Sequence, residues 1–343
     1  MKIAVAMSGG MDSTAAALIL SRKGYEVLGV HIRLHSDSDR TWLLAQRAAQ
    51  EISVPIQLVD LSVAFSNLVI NYFVAEYSSG RTPSPCLICN RFIKADLLFE
   101  QARELGCERL ATGHYARILK TDHGWGLFRG VDAAKDQSYF LSMLKREALS
   151  RTVFPLGKLT KAQVKDFLKS EGISIADSDE SQEICFIPDR DYRNFLLNSG
   201  LKAKPGPIVD SQGRVIGKHQ GIIGYTIGQR RGLGICGPEP LYVLRIDPLS
   251  HTIVAGTRKE ALSGTLKISG FSRLVSSAPA AGDKFHVKIR STAKAVICAI
   301  AAQREDSLEL KFDEPQSGVS PGQAACLYSG DRVVGGGWIE SGG

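Results

Sequence analysis

Two periods of hydrophobic recurrence divide the first half of the chain. Short aliphatic and β-branched runs, Lys2 to Met7, Tyr25 to Ile32 and Pro55 to Asp60, alternate with amphipathic stretches, Asp12 to Lys23 and Thr41 to Ile52. That alternation predicts βαβαβ, a parallel sheet with helices on both faces. Leu61 to Glu76 and Cys89 to Leu105 continue it as amphipathic helices, and Glu108 to Thr112 as a buried strand. Residues 1–200 therefore read as one doubly wound α/β domain. After Leu201 the pattern changes to short, glycine-punctuated strands without helical period between Pro207 and Thr257, a small β-rich domain over 201–264. From there to residue 343, runs at Lys284 to Ile289, Ala295 to Ala301, Ser307 to Phe312 and Ala324 to Tyr328 alternate with turn signals, as in a small β-barrel.

Composition narrows the class. With 44% hydrophobic and 22% charged residues over 343 positions, the chain can bury more than one core. The N-terminal residues lack the apolar stretch of a signal peptide, and no run of ~18 apolar residues could span a bilayer. A cytoplasmic address without membrane attachment is expected. Seven cysteines in such a chain read as reduced thiols rather than a disulfide framework. A net charge of +7 favours a polyanionic partner.

The first motif is A-M-S-G-G-M-D-S-T, Ala6 to Thr14, where the first strand meets the first helix. Ser8, Gly9, Gly10, Asp12 and Ser13 crowd a helix N-terminus, where exposed amides and the helix dipole attract an anion. Glycine lets phosphate oxygens approach the backbone, and serine hydroxyls add donors. No G-K-[ST] follows, so this is not a Walker loop. The string S-G-G-x-D-S resembles the PP-loop of ATP pyrophosphatases, which split ATP between its α and β phosphates; by that resemblance Asp12 would help hold Mg²⁺.

Two prolines in R-T-P-S-P-C-L-I-C-N-R-F-I-K stiffen a loop before a helix expected to open near Cys89. Cys86 and Cys89 form a C-x-x-C pair, and a helix N-terminus lowers a thiol pKa. The spacing alone suits a redox pair, half a zinc site or iron–sulfur ligands. Cys185 follows a polar stretch in D-S-D-E-S-Q-E-I-C-F-I-P-D, unlike a core strand, whereas Cys107, Cys236, Cys298 and Cys326 sit in apolar or glycine-rich contexts and read as structural.

These strings, with A-T-G-H-Y-A-R, K-D-Q-S-Y-F-L, G-Y-T-I-G-Q-R-R-G-L-G and P-G-Q-A-A-C-L-Y-S-G-D-R-V-V-G-G-G-W-I, resemble the tRNA-specific 2-thiouridylases along nearly the whole chain. The resemblance implies that Ala6, Met7, Ser8, Gly9, Gly10, Met11, Asp12 and Ser13 bind ATP, with Ile32 and Gly113 on the adenine side. It makes Cys89 the active-site nucleophile and Cys185 the persulfide carrier. Ser84, Pro85 and Cys86 would face the target base. His114, Lys135, Asp136 and Gln137 would contact tRNA, and Arg290, Ser291 and Gln323 its anticodon arm. Taken by themselves, His114 reads as a core histidine, Lys135 as a solvated charge and Gln323 as a turn residue. Arg230 and Arg231 form a glycine-flanked basic loop suited to phosphate.

The implied reaction adenylates O2 of the tRNA wobble uridine, position 34, and lets sulfur displace AMP. A sulfur donor such as a cysteine desulfurase or a sulfur-relay protein would be a partner. Many family members carry aspartate where this chain has Cys86. An unperturbed thiol near ~8.5 is a poor base at neutral pH, and the trio Cys86, Cys89 and Cys185 also suits three corners of a [4Fe–4S] cluster. A cluster-bound sulfide, a cluster-free persulfide relay and a zinc site all stay open. Another PP-loop adenylating enzyme, such as a tRNA-lysidine synthetase, and a non-enzymatic tRNA-binding protein are the competing classes.

Overall fold

Strand β1 (Lys2–Ala6) is buried along its middle and pairs in parallel with β2 (Glu26–Arg33) on one side and β4 (Arg109–Ala111) on the other. With β3 (Ile56–Asp60) and β7 (Thr152–Val153) they form a sheet in the order β3-β2-β1-β4-β7, all parallel. The expected doubly wound domain is present in this computed structural model, which describes residues 1–35, 38–174, 184–187, 191–235 and 239–343. Strand order reverses between β1 and β4, and ligands of such sheets bind beyond the strands' carboxyl ends at that switch point.

The helix Met11–Arg22 lies on one face, its run Ala15, Ala16 and Ala17 buried against Ile3, Val5 and the helix Lys161–Ser170. Small side chains let this helix lie close to the strands. On the other face Leu98, Phe99 and Ala102 cover Ala4, Leu28 and Val30. They belong to a continuous helix built from Pro85–Ile88, a π-helical stretch Cys89–Leu98 and Phe99–Glu104. Pro85 sits at its first position, where a missing N–H costs nothing. The helix therefore opens four residues earlier than the spacing predicts, and both cysteines lie inside it.

Two β-units follow. A four-stranded sheet, β10-β11-β8-β9, is built from β8 (Gly206–Val209), β9 (Val215–His219), β10 (Tyr242–Asp247) and β11 (Thr252–Gly256). The last unit comprises β12 (Leu262–Arg273), β13 (Lys284–Lys288), β14 (Val296–Gln303), β15 (Leu308–Ser317), β16 (Ala324–Ser329) and β17 (Arg332–Gly342). Pairing of β12 with β17 closes these six into a barrel. One feature escaped the sequence pattern: the hairpin β5 (Ala116–Thr121) and β6 (Gly124–Arg129) leaves the first domain and adds to the barrel sheet beside β17, with Phe128 opposite Arg332. Among the described residues no helix is long and apolar enough to cross a membrane.

The units share cores rather than merely touching. Leu87, Tyr139, Leu141 and Leu149 pack with Leu274, Ala324, Cys326 and Tyr328 of the barrel. The loop before the cysteines is the polar seam. Arg81 Nε is 2.9 Å from Glu76 Oε2, and its Nη1 lies 2.9 Å from Oε2 of Glu340 on β17. Thr82 N donates to Pro321 O at 2.8 Å, and Gln323 Nε2 donates to the carbonyls of Thr82 (3.2 Å) and Pro83 (3.1 Å). The Thr82 hydroxyl accepts from Ser320 Oγ and donates to Thr226 Oγ1 at 3.3 Å, so one residue touches all three units.

Partial burial pushes the Glu340 carboxyl up, but hydrogen bonds from Arg81 and Ser269 outweigh it and hold the group below its ordinary 4.5. A carboxyl with a depressed folded pKa stabilises above the unfolded value and loses that contribution as pH falls through the folded one. Arg81→Met should therefore lower stability by about 1–3 kcal/mol at pH 7, allowing for partial solvent screening. Urea unfolding at pH 7 and at pH 3.5 checks this: the gap between variant and wild type should shrink in acid, and a gap that widens contradicts the assignment.

Candidate active site

The loop Ser8–Gly10 joins β1 to the helix Met11–Arg22 at the switch point. Gly9 adopts φ +82°, and a Cβ there would strike the backbone of Leu44 and Ala45, so only glycine fits. Ser13 Oγ donates to Gly10 O at 3.0 Å and accepts from Ser8 N at 3.2 Å, which folds the loop back over the helix start. The N-cap Gly10 supplies no side-chain hydrogen bond. The dipole end of the helix is left to backbone amides, the arrangement that binds anions.

His31, absent from the sequence expectations, anchors this loop from below. It is buried, with Nδ1 2.8 Å from Met7 O and Nε2 3.3 Å from Thr41 Oγ1. Burial pushes its pKa below 6.5, and the neutral ring donates from Nδ1 to the carbonyl and accepts from the threonine. Gly113 closes the loop from above. A Cβ on it would fall 2.8–2.9 Å from backbone atoms of Asp12 and Ser13, so the A-T-G-H turn after β4 presses directly on the loop. Ala6 and Ile32, both partly buried, each pack against the cluster to which Leu98 and Phe99 belong.

Asp12 is already engaged. Its Oδ1 accepts from Tyr115 OH and from Lys161 Nζ, each at 2.7 Å. Neither partner was singled out from the sequence.

The crossover helix 85–104 runs back along the sheet, so its N-terminal end lies at the same carboxyl edge as the loop. Cys86 reaches solvent there, and Cys89 is buried among Phe65, Phe73 and Ile93. Cys185 also reaches solvent, and its neighbour Phe186 is pinned in an aromatic nest, 5.6 Å from Phe65, 5.3 Å from Phe73 and 5.4 Å from Phe195 by ring centroids. That nest carries the distant segment to the C-x-x-C pair. The three thiols feel one another's charge, and each is also within the field of Lys94. Lys94 follows Cys89 by five residues, one turn in the i→i+5 winding of the π-helical stretch. Its Nζ donates to Asn90 Oδ1 at 2.9 Å, and buried Asn90 in turn donates to Phe140 O at 3.0 Å.

Cys86 and Cys89 are held above the ordinary thiol pKa, not below it as a place near a helix start predicts. Burial pushes Cys89 up to about 12 against the pull of Lys94. Desolvation, the larger cause, and the charge of Cys185 also raise Cys86, and desolvation raises Cys185, although both residues expose part of their surface. Desolvation outweighs the helix terminus. A single metal ion needs its ligand atoms within about 2.3 Å of one point; among the described residues no group of three His, Cys, Asp or Glu side chains offers that.

Other expected residues prove occupied. His114 is half-buried beside Phe154, hydrogen-bonded to Thr112 Oγ1, and held neutral by burial with Lys94 adding to the effect. Asp136 accepts from Gly130 N, Ser138 N and Ser138 Oγ, and Gln137 Oε1 accepts from Tyr115 N at 2.9 Å, so both brace the turn that carries Lys135. Ser84 and Pro85 are buried at the helix start. Arg290 is exposed beside Gly318 with Ser291 next to it, while Gln323 serves the domain seam. Cys107, Cys298 and Cys326 are buried, as structural cysteines should be; Cys236 and residues 177–183 lie outside the described residues.

An anion loop of this sequence at the switch point of a HUP-type parallel sheet defines a nucleotide-binding enzyme of the PP-loop class. Family profiles agree along the chain: a tRNA methyl transferase HUP domain over residues 1–189, a tRNA methyl transferase PRC-barrel domain over 193–257 and an aminomethyltransferase β-barrel domain over 263–339. Proteins named tRNA-specific 2-thiouridylase MnmA are 43% identical in Chlorobium luteolum, covering 99% of this chain and 96% of that one. The Acidithiobacillus ferrooxidans protein of that name is 41% identical (99% and 98%), and that of Chloroflexus aggregans 43% (98% and 98%). The chain belongs to the tRNA-specific 2-thiouridylase family.

The thiol environment predicts an order of reactivity. With iodoacetamide at pH 8, folded protein should be alkylated at Cys86 and Cys185 first, and at Cys89 at least ~100-fold more slowly than a free thiol. Peptide mass spectrometry over time measures this, and Cys89 labelling at the free-thiol rate would contradict the burial argument.

Proposed function

We propose that the chain is an ATP-dependent sulfurtransferase that converts a tRNA uridine, the wobble base at position 34, to 2-thiouridine. The gathering of Cys89 and Cys185 from distant segments, beside one lysine and on the same sheet edge as the anion loop, carries this reading. Uridine O2 attacks the α phosphate of ATP, pyrophosphate leaves, and C2 becomes open to a nucleophile. The loop amides and serine hydroxyls stabilise the charge on the departing pyrophosphate. Magnesium arriving with the nucleotide would supply further neutralisation, and Asp12 is the residue that would hold it.

The terminal sulfur of a persulfide on Cys185 then bonds to C2 as AMP departs. Cys89 attacks the inner sulfur of Cys185, forming a disulfide and releasing the thiolated base; a thiol reductant returns the pair to its reduced state, and a sulfur-donor protein reloads Cys185. A high pKa suits Cys89 until that moment, because a protonated, buried thiol does not react early with the wrong partner. The basic surface would receive the tRNA, with Lys135, Arg290 and Ser291 among its contacts and neutral His114 able to offer only a hydrogen bond.

A second reading rests on Cys86, which stands within the field of Cys185. Cys86, Cys89 and Cys185 would hold three corners of a [4Fe–4S] cluster, whose fourth iron would supply the sulfur as a bound sulfide.

The test uses protein purified without oxygen, unmodified tRNA, ATP and a persulfide donor, with 2-thiouridine read by mass spectrometry. Cys89→Ala and Cys185→Ala should fall to background while binding tRNA within about twofold of wild type. Iron-free wild type should be active, and Cys86→Ala should remain so. If activity instead tracks about four irons per chain and disappears with Cys86, the cluster reading replaces the relay. No thiolation under either condition sinks both.

A further inference from the structure

The leaving pyrophosphate carries several negative charges, and the S-G-G-M-D-S loop offers amides and hydroxyls but no cation of its own. Phosphate-binding loops elsewhere include a lysine for this purpose. Here a lysine reaches the loop from another element. Lys161 is the first residue of the helix Lys161–Ser170, and its Nζ stands 2.7 Å from Asp12 Oδ1 in the first turn of the loop helix. Its backbone is fixed three ways: by a capping box between Thr160 and Gln163, by Lys161 N donating to Asp132 Oδ2 at 2.9 Å, and by Val164 and Leu168 buried against Ala15–Ala17. The side chain retains 17% exposure and Asp12 37%, so the pair borders solvent at the loop rather than lying in the core. Tyr115 flanks it, with the ammonium 5.8 Å from the ring centroid and the hydroxyl on the same carboxylate oxygen.

We infer that Lys161 is the cation of the pyrophosphate subsite, held in place on Asp12 and Tyr115 so that its ammonium meets the β and γ phosphates of ATP and then the released pyrophosphate. An ion pair in a partly solvated cleft exchanges partners cheaply, because water screens both charges during the switch. A multiply charged phosphate competes well against a single carboxylate for a lysine. The assignment rests on the proposed splitting of ATP between its α and β phosphates, and it adds a contact from a third chain segment to a site that the loop alone leaves without a positive charge.

Calorimetric titration of the protein with inorganic pyrophosphate and, separately, with AMP tests it without tRNA or sulfur donor. Lys161→Met should weaken pyrophosphate binding at least about tenfold while AMP binding changes by less than about twofold, and Lys161→Arg should keep most of the pyrophosphate affinity. Unchanged pyrophosphate affinity in Lys161→Met overturns the inference. So does a parallel loss for both ligands together with a lower Tm in both variants, since that marks a purely structural ion pair. Wild type that binds no pyrophosphate at all removes the ATP-splitting reading itself, a result separate from the behaviour of the lysine.

Discussion

The placement of the C-x-x-C pair hangs on the five residues ahead of it. Arg81 bridges Glu76 of the preceding helix and Glu340 of the barrel, and Thr82 and Pro83 give their carbonyls to Gln323. These contacts fix where the helix 85–104 begins, and its beginning fixes Cys86 and Cys89. Backbone groups in a loop must find partners somewhere. Here they find them on the other two units, so the geometry of the thiols is set by the assembled molecule and not by the first domain alone.

The site joins two half-sites with opposite electrostatic character. The loop side is rich in donors and carries the Asp12–Lys161 pair; the thiol side buries Cys89 among apolar residues, which raises its pKa, with Lys94 as the nearby countercharge. The A-T-G-H turn connects them: Gly113 lies on the loop while His114 lies within the field of Lys94. The proposed activation of an oxygen and delivery of a sulfur would call for such unlike surroundings within reach of one base.

Much of this was legible in the sequence because it is local. A strand, a glycine-rich turn and an alanine-rich helix announce the loop, and alternation announces the parallel sheet and the barrel. What escaped is non-local or decided by competition between effects. Lys161 carries a helix-start signal in T-K-A-Q but nothing that points to Asp12, 149 positions away. The thiol pKa depends on how deeply Cys89 is buried by Phe65, Phe73 and Ile93, which a helix-terminus argument cannot weigh. Asp136, Gln137 and Gln323 use their side chains to brace turns and a seam, a use that string matching does not reveal.

The hairpin β5–β6 has a consequence for the order of assembly. Its outer edge is completed only by β17, about two hundred residues later, with Phe128 facing Arg332. During synthesis that edge stays without its partner until β17 has left the ribosome, and pairings this distant in sequence form slowly. The first domain can collapse early around its parallel sheet, yet the seam that orders the thiol helix closes only once Gln323 and Glu340 have emerged, so a product cut short before them would carry the anion loop without a properly set pair of cysteines.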